Sequence, residues 1–293
     1  MGNSKKITLT VLSQEQSEGV GARVRRSIGR PELRNLDPFL LLDEFKVAKP
    51  AGFPDHPHRG FETVTYVFEG VNGSTAHEDF CGHSGIINPG DLQWMTAGRG
   101  ILHAEMPCSE EIVHGLQLWV NLRSSEKMLE PHYQGMKCEE ILKPSKNGVT
   151  ISVISGEALG VKSQIFTRTP TLYLELKLDQ GAKHSQPIPE GWTAFIYTVF
   201  GNVYIGPDGE QQKVEPHHTA VLGVGDNVQV ENKDPERSHF FLIAGEPIKE
   251  PIVQHGPFVM NTEAEISQAI IDFRSCKNGF ENAKYWRSKI GNQ

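Results

Sequence analysis

The stretch Gly60-Phe61-Glu62-Thr63-Val64-Thr65-Tyr66-Val67-Phe68-Glu69-Gly70 is answered later by Gly191-Trp192-Thr193-Ala194-Phe195-Ile196-Tyr197-Thr198-Val199-Phe200-Gly201. Glycine, aromatic, tyrosine and glycine fall in register. Both copies are rich in the β-branched and aromatic residues that fill strands. Pro89-Gly90-Asp91 reads as a turn between strands, with Gly225-Asp226 as its later counterpart. A glycine-bounded strand written twice predicts a duplicated β-domain. The length agrees, since 293 residues exceed what one hydrophobic core usually organises. The expected division is 1–140 and 141–293, with the Lys-, Glu- and Pro-rich stretch Cys138 to Gly148 as the linker.

Other segments support a β-rich reading. Leu116, Leu118 and Val120 alternate with Gln117, Trp119 and Asn121, as on a half-polar strand. The 29 glycines and 18 prolines are spread along the chain, as short strands joined by turns require. Near the end, Thr262-Glu263-Ala264-Glu265 forms a capping box ahead of Ile266, Ala269, Ile270 and Phe273. That predicts one amphipathic helix laid on a barrel and closing the second domain.

The charge balance excludes one class of function. With a formal net charge of −7, the chain is not built to coat nucleic acid nonspecifically. The N-terminus lacks the apolar core of a signal peptide, and no apolar run approaches membrane length. Cys81, Cys108, Cys138 and Cys276 are far apart and form no CxxC, as expected of reduced thiols in the cytosol or nucleus.

Two short histidine motifs carry the chemistry: His56-Pro57-His58 and His103-Ala104-Glu105. Side chains at i and i+2 share one face of a strand. Two neighbouring strands aimed inward would bring three imidazoles and one carboxylate to one point. Such a cage suits Fe²⁺, Mn²⁺, Ni²⁺, Cu²⁺ or Zn²⁺, with two positions open if the ion is octahedral. The absence of thiolate argues against a structural zinc. At the constant offset of the repeat, His56, His58 and Glu62 fall on Pro187, Pro189 and Thr193, so one metal per chain is expected.

Five segments together resemble the pirin family of the cupin superfamily, over nearly the whole chain. They are Val24-Arg25-Arg26-Ser27-Ile28-Gly29, Asp37-Pro38-Phe39, Phe53 through Val64, Trp94 through Glu105, and Gly256-Pro257-Phe258-Val259-Met260-Asn261. The resemblance implies an all-β bicupin, two antiparallel jelly-roll-like barrels, with iron (Fe²⁺/Fe³⁺) in the N-terminal one. It implies His56, His58, His103 and Glu105 as the ligands. Glu62, where many cupins carry their carboxylate ligand, is expected behind the ligands rather than on the metal.

Two activities follow from the resemblance. One is quercetin 2,3-dioxygenation, the O₂-dependent opening of a flavonol ring with loss of carbon monoxide, with Glu105 or Glu62 as general base. The other is redox-dependent coregulation of transcription in the nucleus and cytoplasm, with NF-κB proteins and IκB-family coactivators as partners. A monomer without direct sequence-specific DNA binding is expected. The alternative is a metal-dependent cupin isomerase or a non-catalytic small-molecule-binding cupin.

Further residues are weighed on their own. Gln117 sits where it would hydrogen-bond a metal-bound ligand, or else satisfy backbone. Arg23, Arg25, Arg26, Arg30 and Arg34 form a basic run in an acidic chain, a candidate partner surface, though charges on an edge strand also suppress aggregation. His77-Glu78-Asp79 with His83 reads as a solvated loop. Trp94 and Met95 read as barrel core before pocket lining.

Overall fold

The computed structural model describes residues 2–293. The chain forms two compact units. One holds residues 15–26, 39–138 and 248–293; the other holds the segment up to Gln14, residues 27–38 and residues 139–247. Eight strands build the barrel of the first: β1 (Phe39–Val47), β2 (Phe53–His58), β3 (Phe61–Val67), β4 (Thr75–Asp79), β5 (Ser84–Ile87), β6 (Leu92–Thr96), β7 (Ile101–Pro107) and β8 (Val113–Asn121). Eight build the other: β9 (Thr171–Leu178), β10 (Lys183–Pro187), β11 (Thr193–Phe200), β12 (Val203–Ile205), β13 (Gln212–Val214), β14 (His218–Leu222), β15 (Asn227–Glu231) and β16 (Ser238–Gly245).

The duplication holds strand for strand. The order β6-β3-β8-β1 in one unit is β14-β11-β16-β9 in the other, and β2-β7-β4-β5 becomes β10-β15-β12-β13. All these pairings are antiparallel where neighbours are registered. Each unit is a two-sheet cupin barrel. A polar pair is repeated with the strands: His114 on β8 donates to Glu44 on β1 at 2.8 Å, and His239 on β16 donates to Glu175 on β9 at 2.8 Å.

Two details of the repeat differ from the constant-offset expectation. Gly225-Asp226 lies in the connection from β14 to β15, so its counterpart is the Gly98–Gly100 turn before β7, not Gly90-Asp91. Gly-Asp is a generic turn signal and does not fix register. Five residues separate β10 from β11 where two separate β2 from β3, and that insertion slides the offset. Cross-strand pairing then sets His184 and Gln186 at the places of His56 and His58, with Val230 at the place of His103. The expected landing on Pro187 and Pro189 is corrected accordingly.

The second barrel interior is apolar. Val228 and Val230 join Ile151, Leu174, Ile196 and Leu242 in one buried cluster. The inward His184 Nε2 donates to Gln186 Oε1 at 2.9 Å, which occupies the nitrogen a metal would need.

The helix α1 (Glu263–Ser275) forms as its capping box predicts: Thr262 Oγ1 accepts from the Glu265 N–H at 3.1 Å. Its location differs from expectation. It belongs to the unit of the first barrel, where Ile266 and Ala269 join Phe80, Met95, Ile101, Leu102, Phe258 and Phe280 in an apolar cluster. The chain leaves the first unit after Cys138 and returns to it at Ile248, and the segments up to Gln14 and 27–38 belong to the other unit, so each unit is discontinuous in sequence. The apolar stripe of α1 marks it as packed without saying on which barrel.

Candidate metal centre

β2 and β7 are neighbours, and His56 stands opposite His103 across the ladder. The alternation of the strands turns His56, His58 and His103 to one place. His103 Nε2 lies 2.9 Å from His56 Nε2 and 3.1 Å from His58 Nε2. Those contacts fit a bound cation better than they fit hydrogen bonds. The His56 Nδ1–H donates to the Pro54 carbonyl at 2.7 Å, so its Nε2 carries a lone pair. His103 Nε2 holds at most one proton to share between two facing nitrogens. His58 Nδ1 is buried without a partner. Metal–nitrogen bonds of about 2.1 Å at right angles would set neighbouring ligand nitrogens about 3.0 Å apart. Among the described residues these three histidines form the grouping able to hold a metal ion.

Burial holds all three imidazoles below their ordinary titration range, and at His58 and His103 neighbouring histidines lower it further. They are therefore neutral near pH 7, with lone pairs available. Aromatic rings enclose the site: Phe61 lies 5.3 Å and Trp119 5.5 Å from the His58 ring, centroid to centroid.

The carboxylates behave differently from the histidines. Glu105 stands outside the three-nitrogen group. The β2–β7 register slips between His103 and Glu105 with the extra residue on β2, while the β7–β4 ladder runs unbroken through both, so Glu105 keeps the face of His103. Burial pushes its carboxyl up to about 7. Its Oε1 lies 3.4 Å from Thr65 Oγ1. Glu62 is buried on β3, where its Oε2 accepts from Thr96 Oγ1 at 2.5 Å, and it too lies outside the group. Gln117 Oε1 accepts from Thr65 Oγ1 at 2.6 Å. Thr65 thus joins Gln117 to Glu105, a role that its place opposite Gln117 on neighbouring strands makes possible.

Other expectations change. His77 and Asp79 are on β4, not in a loop, and stand opposite Glu105 and His103 on β7. Asp79 is buried and accepts from Tyr133 at 2.7 Å, from His83 at 2.9 Å and from the Cys81 and His83 N–H groups. Trp94 and Met95 are wholly buried core. In the basic run, Arg26 is withdrawn from the surface: it makes a two-pronged pair with Asp43, 2.7 Å on each arm, and reaches Glu18 at 2.8 Å. Arg23 and Arg25 lie near Glu15, and Arg30 contacts Glu32 at 3.3 Å; Arg34 stays exposed. The acidic neighbours neutralise most of the patch.

Comparison with known proteins matches this architecture. Residues 21–120 fit the family model Pirin, and residues 173–279 fit the Pirin C-terminal cupin domain. The chain is 79% identical over 292 residues to Pirin of Homo sapiens, covering 100% of both. It is 56% identical to a pirin-like protein of Solanum lycopersicum, over 95% of this chain and 94% of that one. A crystal structure of quercetin 2,3-dioxygenase from Acinetobacter baumannii superposes with a TM-score of 0.85 at 34% identity, covering 94% of this chain and 99% of that chain. With both barrels matched in order and the histidine strand inside the first match, the chain belongs to the pirin family.

Proposed function

We propose that this chain is an iron-dependent oxygenase of the quercetin 2,3-dioxygenase type, acting on a flavonol. The observation that carries the reading is the set of three facing imidazole nitrogens, two separations of which are 2.9 and 3.1 Å. His56, His58 and His103 would hold ferrous iron, with Glu105 the nearest candidate for a fourth donor. When bound, iron would supply Lewis-acid and redox chemistry. Glu105, two residues beyond His103 on the same strand, would take the 3-hydroxyl proton of a flavonol as general base where it is not itself bound to the metal. Thr65 Oγ1, whose proton goes to Gln117, lies 3.4 Å from its Oε1. Phe61 and Trp119 pack edge-on to the His58 ring and surround it with apolar surface that keeps water away. The likeness to the Acinetobacter baumannii enzyme supports the substrate class.

A second role rests on the family resemblance and on the 79% identity with human Pirin over the full length of both chains. It is iron-linked coregulation of NF-κB with IκB-family coactivators, in nucleus and cytoplasm. Oxidation of ferrous to ferric iron adds one charge inside the barrel, and ligand contacts would pass that change to nearby loops.

The test is elemental analysis with EPR on protein purified without chelator, followed by aerobic quercetin turnover with detection of carbon monoxide. About one iron per chain and carbon monoxide release are expected. Zinc, or no metal, would replace this reading with an isomerase or a plain binding cupin. Equal NF-κB binding by ferrous, ferric and metal-free protein would end the redox-gating part.

A further inference from the structure

The strand that bears His56 and His58 is tied to residues more than two hundred positions later in the chain. Asp55, immediately before His56, is held by the C-terminal tail. Ser288 Oγ donates to Asp55 Oδ1 in a short hydrogen bond, and the Ser288 N–H donates to Oδ2 at 3.1 Å. Asn292 Nδ2 adds a contact to Oδ2 at 3.3 Å. The tail is itself braced: Gly291 N–H donates to Ser288 Oγ at 2.9 Å and Asn292 Nδ2 to the Ser288 carbonyl at 2.8 Å. The Lys289 N–H reaches Glu78 on β4 at 2.7 Å. Gly291 runs so close to β2 that a Cβ there would lie 3.2 Å from Pro54 Cα. Ser288 is buried, so these bonds form away from competing water.

The neighbouring residue connects this tie to the metal centre. His56 Nδ1 donates to the Pro54 carbonyl at 2.7 Å, and that bond fixes which His56 nitrogen faces the cluster. Pro54 and Asp55 share a peptide unit, so a tail that fixes Asp55 fixes the carbonyl that orients His56.

We infer that Ser288, with Asn292, is a positioning residue for His56: the C-terminal tail is a latch that holds β2 in its metal-binding geometry and sets how fast the metal leaves. The inference rests on the metal reading above. It gives the C-terminal residues of a chain with 293 residues a function at a site built from residues 56, 58 and 103.

The test uses full-length protein loaded anaerobically with ferrous iron and then mixed with excess chromogenic ferrous chelator. Ser288→Ala is expected to release iron roughly ten- to a hundredfold faster than wild type, the usual scale for losing a group that orients a ligand. Ser288→Thr, which keeps the hydroxyl, is expected to release at the wild-type rate, and Asn292→Leu to fall between. Loss of the buried Ser288 hydroxyl bonds is expected to lower the melting temperature of the metal-free Ser288→Ala protein by only about 2–4 °C, leaving it folded at the assay temperature. Wild-type protein that takes up no iron overturns the iron reading and the latch with it. Wild-type protein that holds iron while Ser288→Ala and Asn292→Leu release it at the wild-type rate overturns the latch alone. Release that accelerates as much in His184→Ala, which loses a comparable hydrogen bond in the other barrel, also overturns it.

Discussion

The Arg59 guanidinium and the Asp272 carboxylate, one beside a metal-site histidine and the other on the C-terminal helix, meet at 2.9 Å with both side chains almost sealed from solvent. Arg59 also donates to the Arg99 carbonyl at 2.6 Å and the Asn278 carbonyl at 2.6 Å, and lies over the Phe280 ring. Asp272 accepts further from Gln268 at 2.7 Å and Asn278 at 2.8 Å. Asp272→Ala leaves a buried guanidinium without its counter-charge and is expected to cost about 3–5 kcal/mol in equilibrium urea unfolding. Loss of less than about 1 kcal/mol would show that water reaches the pair.

The same carboxylate gives an acid limb. Burial alone would raise the Asp272 carboxyl, but hydrogen bonds from Arg59, Gln268 and Asn278 outweigh it and hold it below its ordinary value. A carboxyl depressed on folding contributes stability that is present above the unfolded value, near 3.9, and is lost as pH falls below it toward the folded value. Unfolding stability of wild type should therefore fall below about pH 4 more steeply than that of Asp272→Asn, measured in urea at a series of pH values.

How much of this was readable beforehand depends on sequence separation. The two histidine motifs announce a metal centre because strand alternation is local: i and i+2 share a face whatever the rest of the chain does. The strand repeat announces the duplication for the same reason. The bonds that tie Asp55 to Ser288 and Arg59 to Asp272 span 233 and 213 positions, and no local period encodes them. The counterparts His184 and Gln186 were hidden by a connection three residues longer in the second half, which breaks a constant offset while leaving the fold intact. Glu105 follows the i, i+2 rule and shares the face of His103, but the turn of its carboxylate toward Thr65 and away from the three-nitrogen group is a side-chain rotamer that strand alternation does not encode.

Metal loading should release a proton that reports on Glu105. Its carboxyl, raised to about 7 by burial in the metal-free protein, is about nine-tenths protonated at pH 6, whereas burial pushes the three imidazoles toward the neutral form, furthest at His58 and His103. If the carboxylate joins the metal, calorimetric titration in buffers of different ionisation enthalpy should show close to one proton released at pH 6. Release should decline as pH rises through 7, because the carboxyl is then ionised beforehand. Glu105→Gln should abolish the release at pH 6. A pH-independent count would mean that Glu105 keeps its proton and stays off the metal.

Cys81 is exposed but should be sluggish toward alkylation. Partial burial of the sulfur, with Asp79 and Glu130 nearby, pushes the thiol up to about 11. Only about one molecule in a thousand is then thiolate at pH 8, against roughly a quarter for an ordinary cysteine. Iodoacetamide labelling followed by mass spectrometry should show Cys81 reacting on the order of a hundredfold more slowly than free cysteine, with the rate still climbing between pH 9 and 10. Rapid labelling at pH 7 would contradict the account of its surroundings.

The paired inward positions of the two barrels allow a matched comparison. His103 Nε2 faces both His56 and His58, so His103→Ala removes the nitrogen on which the grouping converges. That variant should lose bound iron and any flavonol turnover together, and activity without iron would break the link between them. His184 holds the place of His56 in the other barrel, yet its inward nitrogen is engaged with Gln186 and the place of His103 is filled by Val230. His184→Ala should therefore leave iron stoichiometry and turnover unchanged while removing one buried hydrogen bond, a cost of about 1 kcal/mol. Restoring the missing donors with Gln186→His and Val230→His together should give the second barrel the same three-imidazole arrangement. Elemental analysis would then read about two metals per chain if strand geometry and donor type are sufficient. A count that stays at one would mean that the first barrel supplies something beyond three histidines, and Glu105, whose cross-strand counterpart in the second barrel is Asn232, is the first residue to transplant.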